Sequence, residues 1–171
     1  MFSNCTSLTK AKLKIQNAPK LTTANDLFNG CTSLTEVDLT GSDLDLITGM
    51  SNWFYKCTSL VEIDLSYLNV PKVTTYSGLF RECSNLKKAN LRCLVSSANI
   101  NASYMFDNCK NLEELDIRNW QINKITSSSN YTSIFTNVPY TCKIIVKDEA
   151  CRTWVKARNS AFSNVVLASE L

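Results

Sequence analysis

The sequence predicts a single-domain α/β solenoid in which short parallel strands stack beside one another. Three observations carry that expectation. Phe2, Phe28, Phe54, Phe80 and Phe106 recur every 26 residues, and Cys5, Cys31, Cys57, Cys83 and Cys109 keep the same interval. An apolar pattern follows each cysteine, as in "CTSLTEVDL", "CTSLVEIDL", "CSNLKKANL" and "CKNLEELDI". A fixed period of about 20–29 residues joined to L-x-x-L-x-L marks units that bury their apolar faces against one another.

Each unit divides into two arms. In "LTEVDL" Val37 and Leu39 alternate with Glu36 and Asp38, the period of two of a half-buried strand. Ile63 with Leu65, Ala89 with Leu91, Leu115 with Ile117, and Ile144 with Val146 repeat that alternation. On the other arm Met50, Trp53, Phe54 and Cys57 stand at helical spacing, as do Tyr76, Leu79, Phe80 and Cys83. One or two helical turns per unit are expected there, with Thr22, Thr48 and Thr74 as N-caps. The expected architecture is a right-handed leucine-rich-repeat solenoid, with the parallel β-sheet on its concave face and short helices on its convex face.

The 26-residue repeats run from residue 1 to about 134, and a degenerate last repeat with a C-terminal cap occupies about 135–171. The last repeat comes three residues late, which places an exposed loop at "SSSN", residues 127–130. Beyond it, Asp148 is expected to cap a helix with Ala150, Cys151, Trp154 and Val155 on one face, followed by Phe162. That face would close the apolar end of the stack. At the other end Met1 and Phe2 fall in mid-repeat, where a solenoid needs a cap, so a longer parent protein is expected.

Composition narrows the function. The chain is 44% hydrophobic and 19% charged, with a net charge of +3 and no block of like charges, which argues against a nucleic-acid partner. No apolar run approaches the roughly 18 residues of a membrane span. With no histidine, the commonest general base is absent, and no nucleophile elbow or phosphate-binding glycine loop occurs. The expectation is a non-enzymatic protein without cofactor or metal.

The cysteines fit that view. Five at identical register on an apolar face read as a buried ladder of small hydrophobes. Neighbouring helices about 8–10 Å apart would hold them beyond the roughly 7 Å limit for a disulfide. Zinc is disfavoured by the absence of C-x-x-C and histidine. Val138 takes the cysteine position in the last repeat, while Cys93, Cys142 and Cys151 lie outside the ladder. Pairing of Cys142 with Cys151 across the cap stays open.

The Phe-x-x-Cys-x-x-Leu signature followed by a Leu-Asp-Leu strand resembles the BspA-like leucine-rich-repeat proteins, found largely on the surfaces of host-associated bacteria and some mucosal protozoa. The segment "KIIVKDEACRTWVKARNSAFSNV" at 143–165 is similar to that family's closing strand and helix. The resemblance implies a module on the cell surface or secreted, acting in adhesion or host interaction by binding a host or neighbouring-cell protein, such as a host extracellular-matrix or cell-surface protein, through the concave face or the loops at its rim. A structural spacer, or a cytoplasmic scaffold without a tight ligand, is the alternative. One departure from leucine-rich repeats at large concerns the usual asparagine position, which holds Gln16, Ser42, Leu68, Leu94 and Trp120. The turn after each strand must therefore be satisfied another way.

What remains for function is the outward face of the strands, expected on a monomer. Alternation places Lys10, Lys12 and Lys14 there, then Glu36, Asp38 and Thr40, then Glu62, Asp64 and Ser66. Lys88, Asn90 and Arg92 follow, then Glu114, Asp116 and Arg118, then Lys143, Ile145 and Lys147. The candidate ligand-binding residues on this concave face are Glu36, Asp38, Glu62, Asp64, Lys88, Arg92, Glu114, Asp116 and Arg118. Stacking at about 4.8 Å sets Glu62 against Lys88 but Glu36 against Glu62 and Asp38 against Asp64. Opposed like charges cost roughly 0.2–1 kcal/mol each. Two accounts stay open: a solvated face that tolerates this cost, or an acidic patch that meets a basic protein. Calcium suits the patch poorly, since it takes about six to eight oxygen ligands, and no aromatic side chain stands on the grid for sugar or base stacking.

Overall fold

Every unit lays down one short strand: β1 (Lys10–Lys12), β2 (Glu36–Asp38), β3 (Glu62–Asp64), β4 (Lys88–Asn90), β5 (Glu114–Asp116) and β6 (Lys143–Val146). The C-terminal helix α1 (Glu149–Arg158) and a final strand β7 (Val165–Leu167) complete the chain. The computed structural model describes residues 1–16, 18, 20–95 and 100–171. All strand pairs are parallel, and Lys10 opposite Glu36, Glu62 opposite Lys88 and Lys88 opposite Glu114 reproduce the 26-residue register. Leu39, Leu65, Leu91, Ile117 and Val146 are fully buried, as alternation requires. The expected repeat solenoid with a parallel sheet is the fold observed.

The second arm differs from the helical expectation. Met50, Trp53, Phe54 and Cys57 do point inward and are fully buried, but the backbone that carries them is a chain of turns. The amide of Phe28 donates to the carbonyl of Trp53, Phe54 to Leu79 and Phe80 to Met105, each in the next repeat. The amides two residues to either side of each phenylalanine do the same, as from Asn52 to Ser77 and from Lys56 to Arg81. Those flanking residues are the left-handed ones: Asp26 and Gly30, Asn52 and Lys56, Gly78 and Glu82, Tyr104 and Asn108, Ser133 and Asn137. A left-handed residue on both sides of each phenylalanine stops any helix, and every second amide is turned out toward its neighbour. An α-helix is about 10–12 Å across, so helices could not stack at the roughly 4.8 Å interval of paired strands.

Two further expectations change with it. Thr48 and Thr74 are not N-caps; amide and hydroxyl of Thr48 both donate to the Thr22 carbonyl, and those of Thr74 to the Thr48 carbonyl. The missing asparagine ladder is replaced by backbone turns, Leu68 N–H to Leu65 carbonyl, Leu94 to Leu91 and Trp120 to Ile117. Leu68, Leu94 and Trp120 are then free to be apolar and are buried.

The phenylalanines form a continuous stack. Phe2, Phe28, Phe54, Phe80, Phe106 and Phe135 lie nearly parallel with centroids 5.3–5.9 Å apart. The three additional residues before Phe135 are taken up at 127–130, where Ser128–Asn130 forms a 3-10 turn and Phe135 keeps its place. Beside the rings, the thiols of Cys31, Cys57, Cys83 and Cys109 donate to the carbonyls of Phe2, Phe28, Phe54 and Phe80. Burial raises the thiol pKa of Cys57, Cys93 and Cys142 to about 12. The five-membered buried ladder is corrected at one rung: Cys5 is exposed, because no turn packs over it in this chain. All eight cysteines are free, and Cys151 donates to Asn123 instead of meeting Cys142.

The cap forms largely as expected. Asp148 accepts from the Cys151 amide at 2.9 Å, and Cys151, Trp154, Val155 and Phe162 are buried. The Trp154 indole donates to the Ile125 carbonyl at 3.1 Å, which fixes it as part of the closure. Ala150 is exposed instead of joining that face. Ile145, placed outward by alternation, is buried because β7 extends the sheet past it and sets Val166 opposite.

Thiol titration of the native protein should find one fast-reacting group among eight, abolished by Cys5→Ser, and the remaining seven only after denaturant. Backbone strain gives a second expectation. Lys56 is exposed at φ 59°, so Lys56→Gly should stabilise by about 1 kcal/mol. Gly78→Ala should destabilise by more than that, since φ is +63° and the new Cβ would lie 2.4 Å from Asn52 Oδ1. Thermal denaturation measures both.

Candidate functional site

The outward face of the strands is not one surface. β1 and β2 form a two-stranded sheet, β3 to β7 a five-stranded one, and β2 does not pair with β3. At the other seams the amide two residues past the strand's midpoint donates to the next strand: Leu13 to Asp38, Leu65 to Asn90, Leu91 to Asp116 and Ile117 to Ile145. At the β2–β3 seam Leu39 donates instead to the hydroxyl of Tyr67, at 3.0 Å. Glu36 and Asp38 therefore do not lie paired against Glu62 and Asp64 as a continuous sheet would set them. The phenol stands where a backbone carbonyl would, and opposed carboxylates disfavour closing the seam.

Each block settles its charges on the side away from the seam. Glu36 pairs with Lys10 at 2.6 Å and Asp38 with Lys12 at 3.0 Å. Glu62 pairs with Lys88 at 3.7 Å, while Asp64 accepts from the Asn90 amide nitrogen at 3.1 Å. Farther along, Lys143 reaches Glu114 at 3.5 Å, and Arg118 folds back on Asp116 at 2.7 Å. Asp116 is thereby buried, contrary to its expected place on an open face, with Arg92 approaching it at 3.8 Å. Glu62, Asp64, Lys88, Arg92, Glu114 and Asp116 line a groove of about 410 Å³. Seven of the nine candidate residues thus lie over the five-stranded sheet, and Glu36 and Asp38 stand apart on the two-stranded one.

Sequence reasoning missed a local role for the third residue of each strand. The Asp38 side chain accepts the Thr40 amide at 2.9 Å, Asp64 the Ser66 amide at 2.7 Å, Asn90 the Arg92 amide at 3.4 Å and Asp116 the Arg118 amide at 3.2 Å. These are Asx-type turns that end the strands. The signal was the recurrence of Asp or Asn two residues before the turn. The bonds from Thr40, with that from Lys12, hold the Asp38 carboxyl at a pKa of about 2. Burial pushes Asp64 the other way, but the bonds from Ser66 and Asn90 outweigh it and keep its pKa below the ordinary value.

No group of three or more Asp, Glu, Cys or His side chains among the described residues could hold a metal ion. No helix among them is long and apolar enough to cross a membrane.

Tyr67→Phe isolates the seam. It removes the acceptor of the Leu39 amide without removing the ring, so it should lower stability by about 1 kcal/mol and speed exchange of that amide. Hydrogen exchange read at Leu39, Leu65 and Leu91 should show acceleration at Leu39 alone. Equal acceleration at all three would mean the phenol supports the whole stack.

Comparison with curated proteins yields no match to this chain. A family model described as "Mycoplasma protein of unknown function, DUF285" matches residues 22–143, from Thr22 to the first residue of β6. That stretch holds the β2–β3 seam and every candidate residue on the strand face, and it covers well over half of the sequence: the chain belongs to the DUF285 family.

Proposed function

We propose that the chain is a non-enzymatic module that binds a protein through the outward face of its strands, with a basic partner surface lying across the β2–β3 seam. One observation carries this reading: Glu36, Asp38, Glu62 and Asp64 border a seam at which the sheet is unpaired. Asn90 makes the same turn as Asp38 and Asp64 without a charge. The turn therefore does not require carboxylates at the seam, and Glu36 and Glu62 make no such turn at all. Each carboxylate has a polar partner within its own block, but like charges facing each other across the seam disfavour pairing there, and complementarity to a partner, which steers encounter more than it adds affinity, explains them.

The likeness to BspA-like surface proteins supports a location on the cell surface or secreted, with a host extracellular-matrix or cell-surface protein as partner. The absence of histidine and the pairing of strand-face carboxylates with lysine or arginine support a non-catalytic role. That same pairing is what favours the second reading, a structural spacer or intracellular scaffold, because it leaves little charge unanswered.

The test compares wild type with a variant carrying Glu36→Gln, Asp38→Asn, Glu62→Gln and Asp64→Asn, on a panel of purified extracellular-matrix proteins. Both asparagines keep the oxygen that accepts the turn amide. Relief of repulsion and loss of exposed ion pairs are each worth about 0.2–1 kcal/mol, so thermal stability should stay near wild type. The association rate should fall roughly tenfold at low salt and lose most of its salt dependence. Unchanged rates would move the site away from the seam, and no binding by either protein would favour the spacer.

A further inference from the structure

Four of the five arginines have a carboxylate partner: Arg81 has Asp107, Arg92 and Arg118 share Asp116, and Arg152 has Glu149 and Glu170. Arg158, in the last turn of α1, has none among the described residues. Its guanidinium carbon lies 4.2 Å from the Tyr131 ring centroid and 3.9 Å from that of Trp154, and those rings meet edge to face. Nη1 donates to the Trp154 carbonyl at 3.3 Å, and Nε is buried without a hydrogen-bond partner. Two aromatic faces thus fix the guanidinium in one orientation while its charge goes unmatched.

Arg158 borders a groove of about 690 Å³ between the last repeat and the C-terminal end of α1. The remaining polar lining is neutral, with the hydroxyls of Ser128, Ser133 and Thr136 and the amide of Asn159, and no acidic side chain contributes. We propose that this groove binds an acidic sugar, with Arg158 receiving its carboxylate and the hydroxyl-rich wall receiving its hydroxyls. This goes beyond protein binding at the strand face and does not depend on it.

Three considerations select that class. A fixed planar guanidinium suits a carboxylate, and fixing it beforehand removes an ordering cost from binding. A single cation matches a monoanion better than a phosphomonoester carrying about −1.5 to −2 charges. The C-terminal end of a helix also disfavours anions. Here Arg158 Nη1 and the Asn159 amide already engage the carbonyls of Trp154 and Val155, which lessens that opposition for one negative charge without removing it for two. The volume falls within the roughly 300–1,000 Å³ usual for small-ligand sites.

The test titrates the whole chain with glucuronic acid and N-acetylneuraminic acid, and separately with glucose, acetate and inorganic phosphate. Binding is read by NMR at the Trp154 indole N–H and the Arg158 side chain. An acidic sugar should give saturable shifts at least tenfold tighter than acetate, and glucose should give none. Arg158→Lys keeps the charge but loses the planar fork, so it should weaken the sugar acid about tenfold without unfolding the cap. Ser133→Ala with Thr136→Val should weaken it severalfold and leave acetate unchanged. Equal affinity for acetate, tighter binding of phosphate, an unaffected Arg158→Lys variant, or no saturable shift with either acid would each overturn the proposal.

Discussion

Backbone hydrogen bonding between successive repeats on both arms is the constraint on which the rest of this structure depends. Where only the strands are paired, the opposite arm is free to hold helices, and the stack bends to make room for them. Here the turn arm carries its own ladder, from Phe28 to Trp53, Phe54 to Leu79 and Phe80 to Met105. Both sides must then advance by the same small step. That step brings the phenylalanine rings into contact at 5.3–5.9 Å and each cysteine thiol within reach of the preceding repeat's carbonyl. The phenylalanine and cysteine columns are consequences of this equal rise.

How far the sequence reveals this follows from what kind of information each feature leaves in it. Burial leaves a clear trace, because the apolar positions recur at a fixed interval: the period, the inward faces of the strands and the inward set Met50, Trp53, Phe54 and Cys57 were all readable. Backbone conformation leaves a weaker one. Asp26 and Gly30, Asn52, Gly78, Asn108 and Asn137 are residue types that tolerate positive φ, and they stand two residues from a phenylalanine. Lys56, Glu82 and Tyr104 occupy equivalent places and do not signal it. With the signal diluted, helical spacing of the apolar residues was the stronger pattern and pointed to the wrong backbone. Four inward residues at i, i+3, i+4 and i+7 are compatible with an α-helix and equally with two turns hinged on left-handed residues.

The strand face was legible as a list of side chains and much less so as a surface. Alternation identifies which residues point outward, but not that Asp116 is covered by Arg118, nor that Asp38, Asp64, Asn90 and Asp116 each close a turn with the amide two residues on. Least visible was Tyr67, an exposed aromatic in a turn segment, whose hydroxyl takes the hydrogen bond that strand pairing would otherwise use. Its effect crosses between repeats, so no property of its own repeat announces it. Arg158 is hidden for a related reason: a basic residue in a helix's last turn is ordinary, and only the positions of Tyr131 and Trp154 distinguish it.

These observations explain how a stiff repeat can hold a site that is not itself repetitive. Every unit has the same backbone obligations, so departures from the pattern are confined to side chains that those obligations leave free. At the β2–β3 seam the freedom is used twice, by opposed carboxylates and by a phenol that satisfies the Leu39 amide when the neighbouring strand does not. The turn arm remains paired across the same boundary, from Asp26 to Ser51, Phe28 to Trp53 and Gly30 to Tyr55. An opening on one side with continuity on the other localises the departure to the strand face without breaking the stack. A partner that neutralised the carboxylates would remove the repulsion while the phenol still occupied the Leu39 amide. Electrostatic relief and zipping of the two sheets are therefore separable steps, and the second requires Tyr67 to move.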